Sequence, residues 1–210
     1  MIKHHTYKQM KVGAVQKTKP GQSYCGDSYF VTETEDYFIC ALADGLGSGV
    51  EASRASGKAV SVIEAHHDES IDVLMRECNK ALAFGRGAVL SIFKIFYHTN
   101  QLAFSGVGNV RFMLRMPNGE VIYPLSTGGF LSGRPQPYRV QTFPYEKGTS
   151  FIIYSDGFDM NTAARRPLLC MGSPEEASRY VRLLLEDGTG RNDDVTFIFG
   201  TSVEEDEVQP

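Results

Sequence analysis

Four aspartates stand beside glycine or another small residue where an apolar run starts or stops: Gly26-Asp27-Ser28, Ala43-Asp44-Gly45, Ser155-Asp156-Gly157 and Asn192-Asp193-Asp194. Carboxylates that converge from strand ends repel one another unless a positive charge sits among them, and hard divalent cations with oxygen ligands meet that need. A glycine after the aspartate also lets a backbone carbonyl come close to an ion. One Asp-Gly pair alone is an ordinary turn dipeptide. Four such sites together point to a metal centre built from strand ends.

The elements that must carry these residues can be read from residue type and period. Short strands are predicted at 10–16, 28–33 and 37–43, where Tyr29-Phe30-Val31 and Tyr37-Phe38-Ile39-Cys40 suit a pleated surface. The polar step Glu33-Thr34-Glu35-Asp36 between the last two predicts a hairpin. Helical spacing follows at 50–66 (Ala52, Ala55, Ala59, Val60, Ile63) and 69–83 (Ile71, Leu74, Met75, Cys78, Ala81, Leu82). From Arg86 to Phe143 the pattern reads as a β-meander, with strands near 87–96, 101–107, 110–116, 120–124 and 138–143. A buried strand at 150–155 runs into Asp156-Gly157. Ser173, Pro174 and Glu176 open a helix over 174–186 with a capping box, and a last strand covers 194–199. This order predicts an α+β fold with helices packed on antiparallel sheets. Residues 1–200 read as one domain and 201–210, acidic and sparsely apolar, as a disordered tail.

Composition narrows the function classes. A formal charge of −4, with both signs mixed along the chain, leaves no basic stripe for nucleic acid. No stretch approaches membrane-spanning length, and nothing near the N-terminus has the apolar run of a signal peptide. Cys25, Cys40, Cys78 and Cys170 lack Cys-x-x-Cys spacing and read as reduced thiols, so a cytoplasmic protein is expected. Six residues after each cysteine stand Val31, Leu46, Phe84 and Glu176, none of them the arginine a cysteine phosphatase needs.

Taken in order, Gly26-Asp27-Ser28-Tyr29-Phe30, Ala43-Asp44-Gly45-Leu46-Gly47-Ser48-Gly49, Gly106-Val107-Gly108-Asn109-Val110-Arg111, Ser155-Asp156-Gly157 and Asp193-Asp194-Val195-Thr196 resemble the metal-dependent protein phosphatases of the 2C type. Within them, the short form is similar to the bacterial branch that acts on stress and sporulation regulators. The resemblance implies an α-β-β-α fold, an antiparallel β-sandwich flanked by helices, and hydrolysis of phosphoserine or phosphothreonine by metal-activated water. It implies that Asp44 bridges two ions, that the Gly45 carbonyl joins one of them, that Asp156 and Asp193 hold the other, and that Asp27 holds a metal-bound water. Asp27 and Asp44 are then the catalytic pair. Two Mn2+ ions are expected, with Mg2+ as the alternative, and phosphorylated stressosome scaffold proteins are the implied partners, with no nucleic acid and no membrane.

Adjacent residues on a strand face opposite sides, so Asp193 and Asp194 cannot both point into the centre. Matching to the family favours Asp193 as the ligand and leaves Asp194 to shape the turn or to ligate in its place. Three positions depart from the family pattern: Gly26 stands where larger relatives have an acidic residue, Leu46 where eukaryotic relatives have a histidine, and no arginine occurs from Thr18 to Tyr24.

Two other readings remain open at this stage. Asp44-Gly45-Leu46-Gly47-Ser48-Gly49 between a strand and a helix could cradle a nucleotide phosphate, although its glycine spacing is wrong and Asp44 would repel the ligand. A phosphatase-fold binding module with weak or no catalysis is the alternative that the departures favour. His4, His5, His66, His67 and His98 lie away from the motifs and read as surface residues, Asn109 as a turn former, and Phe93 to Tyr97 as core. The loops expected to border the centre are 46–51, 126–136 and 159–172, the last carrying Arg165 and Arg166.

Overall fold

Alternation along the central strands sets the architecture of this computed structural model, which describes residues 1–160, 162–187 and 192–203. On β4 (Tyr37–Gly45), Phe38, Cys40 and Leu42 enter one apolar cluster, while Ile39, Ala41 and Ala43 enter another. β10 (Ser150–Tyr154) divides the same way, with Phe151 and Ile153 on one side and Ile152 and Tyr154 on the other. Strands buried on both faces read as continuous apolar runs, because each must face another layer twice.

Two antiparallel sheets meet through the shared cluster. One has the order β1-β2-β11-β10-β7-β8, formed by β1 (Ile2–Thr6), β2 (Met10–Lys17), β11 (Val195–Ser202), β10, β7 (Arg111–Arg115) and β8 (Val121–Ile122). The other has the order β3-β4-β5-β6-β9, formed by β3 (Asp27–Glu33), β4, β5 (Ala88–Phe96), β6 (Gln101–Val107) and β9 (Gln141–Pro144). Phe38, Phe93, Phe104, Phe112 and Phe151 pack between them. Helices α1 (Val50–Ala65) and α2 (Ile71–Ala81) cover the outer face of the second sheet through Ala59, Ile63, Leu74 and Cys78. Helices α3 (Thr162–Cys170) and α4 (Pro174–Glu186) cover the first through Leu168, Ala177 and Val181. The result is the four-layer α-β-β-α sandwich.

The local signals act as their chemistry requires. The hairpin at Glu33–Asp36 closes with the Thr34 hydroxyl accepting the N–H groups of Asp36 (3.2 Å) and Tyr37 (3.1 Å). Ser70 and Ser173 cap α2 and α4 through Val73 N–H and Glu176 N–H.

Three expectations are corrected and one element is added. The run from Arg86 to Phe143 is not one meander: β5, β6 and β9 lie in one sheet and β7 and β8 in the other. Strand β1, for which the sequence raises no expectation, occupies an edge with only Ile2 and His5 partly buried. Helix α3 replaces most of the loop expected over 159–172. The expected tail starts too early, since Thr201 and Ser202 complete β11 and Val203 N–H bonds the Gln9 carbonyl; residues 204–210 lie outside the described residues.

The aromatic run in β5 also hides a cation. Lys94 is 1% exposed, and its Nζ donates to the carbonyls of His67 (2.7 Å) and Glu69 (2.9 Å) while lying 4.0 Å from the Tyr37 ring centroid. The lysine thereby ties the α1–α2 connection to the sheet. Burial pushes its pKa down to about 8.

Candidate active site

The ends of β4, β10 and the connection into β11 reach one end of the sandwich, where the β3–β4 register sets Asp27 opposite Asp44. Asp44 has the parity of Phe38, Cys40 and Leu42, so alternation aims it between the two sheets rather than toward the helices. A cavity of about 640 Å³ opens there, lined among others by Lys19, Asp44, Gly45, Asn109, Asp156 and Asp193. The structure thus brings three of the four expected carboxylates to one space. Asp27 does not line it: the side chain is buried behind, at 3% exposure.

Asp27 is held by its neighbours. The Ser155 hydroxyl donates to Oδ2 at 2.7 Å and itself accepts the Thr196 N–H at 2.9 Å. Gln16 Nε2 donates to the Asp27 carbonyl (3.1 Å) and to the Thr196 hydroxyl (3.2 Å). Asp27 Oδ1 is buried with no hydrogen-bond partner. Burial raises the Asp27 pKa to about 6, against the pull of the Ser155 and Thr196 bonds and with help from the charges of Asp194 and Asp156. Burial, together with the negative charges of Asp27, Asp156, Asp193 and Asp194, raises Asp44 to about 8.

Gly45 belongs to the same corner. A Cβ there would stand 1.9 Å from the Ala52 carbonyl oxygen, so the first turn of α1 packs directly on its backbone. Its N–H reaches the Gly26 carbonyl at 3.1 Å, tying the two aspartate-bearing segments together. Leu46 lines the cavity and packs against the sandwich core, so position 46 brings no titratable group.

Asp193 and Asp194 part company. Asp193 is half-exposed in the cavity, with Lys19 Nζ 3.5 Å from its Oδ1. Asp194 is 5% exposed and turned toward the chain, where its Oδ1 accepts the Lys19 N–H at 2.8 Å. Its Oδ2 would lie 2.9 Å from a Cβ at Gly26, so this carboxylate fills the space that a side chain at position 26 would need. Both residues precede β11, so a bend separates them rather than strand alternation: Asp194 N–H bonds Asp193 Oδ1 at 2.9 Å.

Two contributors escape the sequence reading. Asn109, read as a turn former, donates from Nδ2 to Asp156 Oδ2 at 2.8 Å and lines the cavity. Lys19 gave no signal at all. The glycine-rich rim does border the cavity, through Gly128, Gly129 and Phe130, and bridges from Val107 to Thr127 and from Ala88 to Leu131 fasten it to the sheet. No histidine is among the residues lining the cavity; His98 pairs with Asp36 and His67 with Tyr37 at a distance from it. The four cysteines are free thiols.

The donor set fits a hard divalent cation. It offers carboxylate and carbonyl oxygen, one buried carboxylate oxygen without a partner, and two acids held above their usual range by burial and by neighbouring negative charge. Among the described residues no three histidine, cysteine or acidic side chains meet at ligand spacing.

Comparison with known proteins agrees with this chemistry. The family described as Stage II sporulation protein E (SpoIIE) matches residues 34–200. Phosphoserine phosphatase RsbX of Bacillus subtilis (strain 168) is 40% identical over 201 residues, covering 95% of this chain and 98% of RsbX. A crystal structure of RsbX in complex with magnesium superposes with a TM-score of 0.88 at 39% identity, over 97% of this chain and 100% of that one. A structure described under "The bacterial stressosome: a modular system that has been adapted to control secondary messenger signaling" follows at 0.81 and 28%, over 92% and 100%. The same fold recurs in the catalytic domain of the serine/threonine phosphatase PstP in complex with 2 manganese ions, at 0.75 and 18%, over 93% and 99%.

Proposed function

The chain belongs to the SpoIIE family of PP2C-type, metal-dependent serine/threonine protein phosphatases, and we propose that it removes phosphate from phosphoserine or phosphothreonine on scaffold proteins of the stressosome, in the cytoplasm, with manganese as its preferred ion. The substrate reading is supported by the likeness to RsbX, a phosphoserine phosphatase, and to a stressosome-related structure. The cytoplasmic reading is supported by the four free thiols.

The observation that carries the site assignment is the convergence of Asp44, Asp156 and Asp193 on one cavity, with Asp27 buried behind Asp44. Asp44, the Gly45 carbonyl, Asp156 and Asp193 would hold two divalent cations, with Asp27 behind them. When bound, such ions offset charge on the phosphoryl oxygens and acidify water for in-line attack.

The chain's own groups do the rest. Ser155 fixes the Asp27 carboxylate, and Asn109 fixes that of Asp156. Lys19 places a cation beside Asp193, where it can meet a phosphoryl oxygen. Gly128, Gly129 and Phe130 form the wall that an incoming phosphoprotein must pass. With leucine at position 46, that position supplies no titratable side chain to protonate the leaving serine oxygen.

The test is phosphate release from a phosphoserine-bearing stressosome scaffold protein after chelator treatment, with manganese or magnesium added back. We expect release that depends on added metal and is faster with manganese. Metal-independent release, or none with either ion, overturns the reading.

A further inference from the structure

A second cleft of about 480 Å³ adjoins the metal-site cavity and shares Gly108 with it. Its walls include Arg111, Tyr123, Leu125, Tyr154 and Arg165. We propose that this cleft is the docking subsite for an acidic residue of the substrate protein, close in sequence to the phosphoserine. The proposal rests on the phosphatase reading above and adds a specificity to it.

Sheet register places the two arginines. Arg111 on β7 is the cross-strand partner of Tyr154 on β10, so both side chains share the sheet face that α3 covers, as do the next pair inward, Met113 and Ile152. Arg165 comes down from α3 onto the same spot. Both guanidinium charges act on the Tyr154 hydroxyl, against the burial that raises its pKa.

Neither arginine is ion-paired among the described residues. Asp156 and Asp159 share a neighbouring pocket with Arg111 but stand outside ion-pair distance. Two unpaired guanidinium groups converging on one cleft make a site for a carboxylate, which arginine binds through paired N–H donors. The same cleft offers an apolar wall that water would not choose: Tyr123 is 47% exposed and Leu125 65%. Together they suit an extended segment with one acidic side chain.

The reach is set by β10. Asp156 lies two residues beyond Tyr154, about 7 Å along an extended chain. A substrate segment with its phosphoserine at the metal centre therefore carries a residue about two positions away into the cleft.

The test uses phosphoserine peptides with Glu two residues from the phosphoserine, on either side, against the same peptides with Gln, and a third set with a second phosphoserine there. The full chain in manganese is expected to show kcat/KM about 10-fold higher for Glu than for Gln on one side. Arg165→Glu is expected to reverse the order, favouring the Gln peptide over the Glu peptide, a reversal that misfolding cannot produce; Arg111→Gln is expected to flatten the ratio. Turnover of all peptides with no Glu-to-Gln preference, or a preference only for the second phosphate, overturns this proposal and leaves the phosphatase reading standing. Absence of turnover on every peptide and on the phosphoprotein overturns both.

Discussion

Asp27 and Asp44 stand directly opposite one another in the β3–β4 ladder, so two carboxylates from different strands share one face of the sheet at one level. Like charges so placed cost stability unless they are protonated or neutralised by a cation.

The pH dependence follows from the burial of both carboxylates, to which neighbouring negative charges add. Both folded pKa values, about 6 and about 8, lie above the ordinary 3.8. Above pH about 4 the unfolded chain has lost protons that the folded chain keeps. The contribution of this pair to stability therefore falls as pH rises from near 4 through 6 to 8. Manganese, which needs the ionised carboxylates, counters the loss. We expect the rise in Tm on adding manganese to chelator-treated protein to be larger at pH about 8 than at about 5.5, and the difference to shrink in Asp44→Asn. A metal-induced shift equal at both pH values contradicts the coupling.

Asp193 and Asp194 should separate by assay. Asp193→Ala removes a half-exposed cavity carboxylate and is expected to abolish metal-dependent turnover with little change in Tm. Asp194→Ala strands the Lys19 N–H and opens a hole beside Gly26, so it is expected to cost about 1–3 kcal/mol of stability. Denaturant unfolding and kcat measured on both variants decide it; the reverse pattern contradicts the assignment.

Ser155→Ala leaves Asp27 Oδ2 and the Thr196 N–H without their shared partner. The expected cost is about 1–3 kcal/mol in stability and about 10–100-fold in metal affinity. Calorimetric titration of manganese reads the second effect, and unchanged affinity would remove Ser155 from the support of the site.

Gly45→Ala tests packing rather than chemistry. The new Cβ meets the backbone of Ala52, which no rotamer change relieves, so a loss of at least about 3 kcal/mol is expected from equilibrium unfolding.

Particular residues explain how far the sequence could be read. The aspartates were legible because each stands where an apolar run starts or stops, a local signal that survives without any knowledge of the fold. Asn109 and Lys19 were not, since their roles depend on Asp156 and Asp193, which lie far along the chain. Strand β1 has almost nothing to bury at its edge position, and the helical pattern of α3 is interrupted by Pro167. The division of Arg86 to Phe143 between two sheets was invisible because residues facing either side of a sandwich are equally apolar. Lys94 inverted the usual rule, its charge being absorbed by carbonyls of the α1–α2 connection that no local pattern reveals.

The most direct measurement is kcat of Asp44→Asn on a phosphoserine protein in saturating manganese, beside a circular dichroism spectrum of the same preparation. The amide keeps the shape and removes the charge that both ions are expected to share. A fall of at least about 100-fold with an unchanged spectrum is the predicted result. Retention of more than about a tenth of the wild-type rate in the folded variant would contradict a two-ion centre at Asp44.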